Sequence, residues 1–111
     1  MPVRRVRHRY LGFYVDSERK YSEDEVWDAV QRSVLYLYGV LGLSETAPKL
    51  IEFDIGQRGI LRCTHTHVRR LRAALAHITD IGGTVACVHV RGVSGTLRAL
   101  RRLCCLSPSH A

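Results

Sequence analysis

Two stretches of this sequence carry residue types that could do chemistry. "RGVSGTLRALRRL", Arg91 to Leu103, sets a glycine-rich turn before an arginine-studded segment, and "CTHTH", Cys63 to His67, alternates a thiol with two imidazoles. A serine nucleophile at Ser94 would need the G-x-S-x-G turn, then an acid and a histidine later in the chain. Thr96 stands where the second glycine belongs, and no Asp or Glu follows Asp80, so a triad is not assembled in that order. The turn suits anion binding better. Gly92 and Gly95 permit close backbone approach, and the unpaired N–H groups of a helix start favour phosphate. Ser94 or Thr96 would cap that helix, with Leu97, Leu100, Leu103 and Cys104 as its apolar stripe and Arg98, Arg101 and Arg102 opposite. A capped packing helix with a solvated basic face fits the same pattern.

The alternate positions of Cys63, His65 and His67 match one face of a strand. A zinc site needs a fourth ligand, and none stands at a recognisable spacing. His-x-Thr is also a phosphoesterase element, but that chemistry takes two such motifs, and His89 is followed by Val-Arg-Gly. The default reading of "CTHTH" is a junction between a strand and a helix that Thr64 or Thr66 caps.

The elements that must position these groups follow from hydrophobic periodicity. "RYLGFYVDS" alternates as a strand, with Leu11, Phe13 and Val15 inward and Tyr10, Gly12 and Tyr14 outward. Ser22 and Glu25 form a capping box, and Tyr21 and Val26 sit at staple positions. Val26, Trp27, Val30, Val34, Leu37 and Leu41 then recur at helical spacing, with an end expected near Gly39 or Gly42. "KLIEFDI" alternates, with Ile51, Phe53 and Ile55 inward and Glu52 and Asp54 outward, and "GQRG" turns it into "ILRCTH" as a hairpin. Val68, Leu71, Leu75 and Ile78 mark a second helix that Gly82 and Gly83 stop, and "TVACVHV" is a fourth strand.

The order β-α-β-β-α-β, followed by a helix, predicts an α/β (α+β) sandwich of the ferredoxin-like or RRM-like type. Its sheet would have four antiparallel strands with two helices on one face. The 111 residues read as one domain, residues 1–8 being a basic arm and 104–111 a tail. The outward Tyr10 and Tyr14 lie where RRM domains stack bases. The RNP1 pattern, however, is missing from "RGILRCTH", and Glu52 and Asp54 on that face oppose phosphate. The terminal helix is a candidate to cover it.

Charge narrows the partner. The formal net charge is +7, and only Lys20 and Lys49 of the 17 basic residues are lysines, which favours a polyanion. Arg4, Arg5, Arg7 and Arg9 crowd one end and Arg98, Arg101 and Arg102 the other, while acids concentrate from Asp16 to Asp28. The two-signed layout predicts a nucleic-acid surface and a separate protein surface. No apolar run approaches the roughly twenty residues of a membrane span, and Cys63, Cys87, Cys104 and Cys105 lack paired spacing. A cytoplasmic protein with reduced cysteines, without a membrane partner, is expected.

Nearly the whole chain, Arg9 to Arg102, resembles the ribonuclease P protein component 2 family, the archaeal relatives of the eukaryotic Pop-five subunit. The resemblance is carried by "RYLGFYV", "LYGVLGLSETAPKLIEFD", "GILRCTHTHVRRLRAALAHI" and "VHVRGVSGTLRALRR". It implies binding to the catalytic RNA of ribonuclease P, pairing with the TIM-barrel-like component 3, and support for 5′-leader removal from precursor tRNA. Self-association within that assembly stays open. The resemblance also implies that RNA carries the chemistry with magnesium bound to RNA, leaving no catalytic residue, metal ligand or cofactor on the protein. By motif, Arg91, Gly92, Ser94, Gly95, Thr96 and Arg98 would touch RNA. Arg4, Arg5, Arg7, Arg9, Arg101 and Arg102 join them on charge. Two other functions fit parts of the sequence: a small phosphoesterase or metal enzyme using His65 and His67, and a ferredoxin-like ligand-sensing homodimer.

Overall fold

A computed structural model describes residues 7–106, with side chains through Arg102; the expected contacts Arg4 and Arg5 lie outside the described residues. β1 (His8–Ser17) buries Leu11, Phe13 and Val15 and leaves Tyr10 and Tyr14 half-buried on the other face. α1 (Glu23–Thr46) begins as its sequence dictates. The Glu25 N–H donates to Ser22 Oγ at 3.3 Å and the Ser22 N–H to Glu25 Oε1 at 3.1 Å, completing the box, while Tyr21 and Val26 are both buried beside it.

The helix does not end at its glycines. It runs to Thr46 through Gly39, whose φ of +74° breaks the regular turn, a conformation that glycine alone adopts cheaply. The kink resets the 3.6-residue count. The inward side passes from Val34 to Tyr38, Gly42, Leu43 and Thr46, and the expected core residues Leu37 and Leu41 are 38% and 72% exposed.

β2 (Lys49–Phe53) and β3 (Arg58–Thr64) form the expected hairpin. An irregularity between Leu50 and Glu52 shifts the register, so Leu50 and Phe53 pack on the core. Ile51 is only half-buried and Ile55 lies exposed in the turn, a correction to the simple alternation. A single 3₁₀ turn (His65–His67) leads into α2 (Val68–His77), and neither Thr64 nor the residue preceding α2 makes a side-chain capping bond. α2 buries Leu71, Ala74 and Leu75, and Ser33 Oγ of α1 donates to the Ala74 carbonyl at 2.6 Å.

α2 stops at His77, before the glycines expected to end it. Gly82 and Gly83, at φ +59° and +85°, instead turn a hairpin between β4 (Asp80–Ile81) and β5 (Thr84–Ser94). Positive φ at both central residues is what a type I′ hairpin turn requires. The antiparallel sheet therefore has five strands in the order β2-β3-β1-β5-β4, the four longer ones in the expected arrangement and β4 an added edge of two residues.

α1 and α2 cover one face of the sheet. α3 (Leu97–Leu106) lies against β1 and β5, where Leu100 and Ile60 are buried apart from the main core. The terminal helix thus occupies the opposite face. It continues to Leu106, past residue 104 where the tail was placed.

Candidate nucleic-acid interface

The start of α3 is built by its own side chains. The Ala99 N–H donates to Thr96 Oγ1 at 3.2 Å, the Leu100 N–H to the Thr96 carbonyl at 3.1 Å, and the Thr96 N–H to Ser94 Oγ at 3.3 Å. Thr96 is therefore the cap, and Ser94 braces the turn that leads into it. The positive end of a helix with no acid in its first turn faces this turn.

Sheet register brings the other end of the chain to the same place. Tyr10 pairs with Ser94 and Arg9 with Cys63. The Arg9 guanidinium lies against Gly95 so closely that a methyl group there would stand 3.3 Å from Nη1. Arg9 also donates to the His8 carbonyl at 3.3 Å. The exposed Arg7 is adjacent in sequence to this edge, its carbonyl accepting from the His65 N–H at 3.0 Å. Arg9, Ser94, Gly95 and Thr96 thus form one cluster, although more than eighty positions separate the arginine from the turn.

The remaining predicted residues divide. Gly92 sits opposite Gly12 in the middle of the sheet. Arg91 lies at the adjoining register shift and holds its guanidinium 5.7 Å from the Tyr14 ring centre, nearer the far end of β1 than the Arg9 cluster. Arg98 and Arg102 are exposed on α3. Arg101 instead reaches down to the sheet and donates to Glu52 Oε1 at 2.5 Å, so the three arginines of α3 do not share one role.

Arg62, part of a third arginine cluster with Arg58, Arg69, Arg70 and Arg72, and Lys49 were not among the expected RNA contacts. Cross-strand pairing sets Lys49, Arg62, Tyr10 and Ser94 in one row on the outer face. Arg62 Nε is buried there without a hydrogen-bond partner. No local motif marks such a row; it exists only once strand register is known.

"CTHTH" comes apart. Cys63 is fully buried in the core, and its thiol is pushed up to about 11 by burial, with Arg9 pulling weakly the other way. His65 begins the 3₁₀ turn on the exposed side. Among the described residues no group of three or more His, Cys, Asp or Glu side chains is placed to hold a metal.

On the helix layer three of the five acids of α1 are in ion pairs. Glu25 is bound by Arg19, Glu45 by Arg70 at 3.0 Å and Asp28 by Arg32 at 3.0 Å. On the two sides of the Gly39 kink, Tyr36, Val40 and Leu41 are each more than 70% exposed and Leu37 is part-exposed. They form an exposed apolar patch around the kink.

A family model described as the Rpp14/Pop5 family matches residues 9–105. Ribonuclease P protein component 2 of Thermococcus gammatolerans is 41% identical over 102 residues, 91% of this chain and 85% of that protein. The protein of the same name from Methanosarcina mazei is 38% identical over 98 residues, 88% and 84% of the two chains. A chain in the cryo-EM structure of yeast ribonuclease MRP superimposes with a TM-score of 0.70, covering 87% of this chain and 80% of its own at 12% identity. At that identity the likeness speaks for the fold.

Proposed function

The chain belongs to the Rpp14/Pop5 family, and we propose that it is a protein subunit of ribonuclease P, binding and stabilising the catalytic RNA that removes 5′ leaders from precursor tRNA. The observation that carries the RNA-binding part is the placement of Arg9 against the Gly95 turn at the capped start of α3. A guanidinium, a glycine with open backbone and a helix N-terminus converge there on one small volume, and each favours a phosphate oxygen. The exposed Arg98 and Arg102 and the row of Lys49 and Arg62 extend the positive potential on either side. Such a surface releases condensed counterions when it neutralises phosphates, which lets a compact RNA persist at lower magnesium. The phosphodiester chemistry, with its magnesium, belongs to the RNA in this reading.

Pairing with component 3 is part of the proposal. The exposed, largely apolar segment of α1 at Tyr36, Val40 and Leu41 supports it, because residues 35–41 carry no charged side chain to meet phosphate. It joins the acidic stretch from Asp16 to Asp28, two of whose six carboxylates pair with Arg19 and Arg32, as a candidate protein contact.

The test is the salt dependence of binding to ribonuclease P RNA. Arg9→Gln should shallow the slope of log K against log salt by about one unit. A slope identical to that of the unchanged protein would remove this cluster from the interface.

A further inference from the structure

We propose that the open end of the outer sheet face, around Tyr14 and His89, holds an unpaired nucleobase of RNA; this deepens and rests on the RNA-binding reading above. Tyr14 of β1 and His89 of β5 are cross-strand neighbours, and their rings stack with centres 4.7 Å apart and planes 20° from parallel. The Arg91 guanidinium stands 5.7 Å from the Tyr14 ring centre. Two parallel rings and a guanidinium at a half-open surface form a stacking platform of the kind that binds single strands, since every base offers a π-face.

The fold leaves this end accessible. α3 crosses the middle of the face, where Leu100 and Ile60 are buried, and Arg101 anchors it to Glu52. Tyr14 remains half-buried, and the His89 side chain is 42% exposed. Beside the ring pair lies a cavity of about 300 Å³ whose floor includes Gly59 and Ile60 and whose rim carries Arg58, Arg91 and Arg101. Arg58 is also the cross-strand partner of Tyr14, so cavity and rings adjoin.

The charges around the site give it a polarity. With Arg101 and Glu52 paired, two rim arginines, Arg58 and Arg91, exceed the one further carboxylate, Asp54. Glu52 is already engaged by Arg101, and Asp54 Oδ1 accepts from the Arg58 N–H at 3.1 Å. Asp16 stands 3.9 Å from His89 Nε2 on the other side of the rings. A strand would therefore run its phosphates along Arg58 and Arg91 and turn a base onto the rings, away from Asp16. Asp54 on the rim suits an amino or ring N–H donor of a base edge.

The experiment titrates the full chain against a fluorescein-labelled, unstructured RNA heptamer, and against the same heptamer with its three central nucleotides abasic. Stacking of one base predicts roughly tenfold tighter binding of the complete heptamer. Tyr14→Leu and, separately, the more exposed His89→Ala should each abolish most of that difference, with circular dichroism confirming the fold. Equal binding of the two oligomers, no binding of the complete one, or an undiminished difference in both folded variants would overturn the proposal. Binding of both variants to whole ribonuclease P RNA should retain its salt slope, because the Arg9 cluster is untouched. If the unchanged protein fails to bind that RNA, the parent reading fails, whatever the heptamers do.

Discussion

Arg101 of α3 donates to Glu52 of β2 at 2.5 Å, joining residues 49 positions apart across the outer face of the sheet. Both side chains are about half exposed, so the pair contributes no more than about 1 kcal/mol. Its consequence is one of placement. One arginine of the α3 cluster is committed to the protein's own sheet, while Arg98 and Arg102 stay exposed.

The double variant Arg98→Ala, Arg102→Ala should therefore weaken RNA binding broadly across sequences and shallow the salt slope by up to about two units. Its thermal unfolding should match the unchanged protein, since surface substitutions of this kind stay within about 0.5 kcal/mol. Filter binding over a salt series, with a melting curve of each variant, checks both halves.

Gln57 is a buried polar link between the β2–β3 turn and the loop entering α1. Its Oε1 accepts from the Tyr21 N–H at 2.8 Å, its Nε2 donates to the Tyr21 carbonyl at 3.3 Å, and its own carbonyl accepts from the Val15 N–H at 2.8 Å. Gln57→Ala leaves two Tyr21 backbone groups without these partners and should lower stability by about 1–3 kcal/mol. Urea unfolding with an unchanged m-value would measure it.

Gly59 is fixed by close approach. A Cβ there would stand 2.7 Å from Phe13 Cζ and 2.8 Å from the Glu52 carbonyl oxygen. Because one of those neighbours is backbone, Gly59→Ala should destabilise by about 1–3 kcal/mol and disturb the β2–β3 pairing. Amide exchange in β2 should rise with it.

Cys63 should resist thiol reagents in the native protein while the exposed Cys87 reacts, because the thiolate is the nucleophile. Burial raises the Cys63 thiol to about 11 from 9.0, so between these values the unfolded chain releases its proton first. Stability should then fall as pH rises through that window, by up to roughly 2 kcal/mol. Unfolding curves at pH 8.5 and 10.5 test this, and Cys63→Ala should lose that part of the pH dependence.

Features set by neighbours in sequence were legible in advance. The Ser22–Glu25 box, the alternation of β1, the glycine turn and the Thr96 cap depend on residues within four positions of one another, and their physics is local. The missed features are those that such counting cannot reach. A helical stripe carried through Gly39 assumes an unbroken turn, so Leu37 and Leu41 were assigned to a core they do not enter. β4 is two residues long, too short to show a period, and the glycines beside it read equally well as a helix stop. The pairings of Arg9 with the Gly95 turn, Arg101 with Glu52 and Tyr14 with His89 exist only through strand register, which no single stretch encodes. Half of the candidate site, the turn, was therefore visible in the sequence, and the other half, what stands against it, was not.

The most direct test of the central claim is precursor-tRNA cleavage by a cognate ribonuclease P RNA with component 3, at limiting magnesium, with and without this protein. Cleavage that appears only when the protein is added, and that Arg9→Gln combined with Arg98→Ala and Arg102→Ala reduces at low but not at high magnesium, is the predicted result. Unchanged cleavage on adding the folded protein, with the same RNA and component 3 active at higher magnesium, would contradict its role as a ribonuclease P subunit.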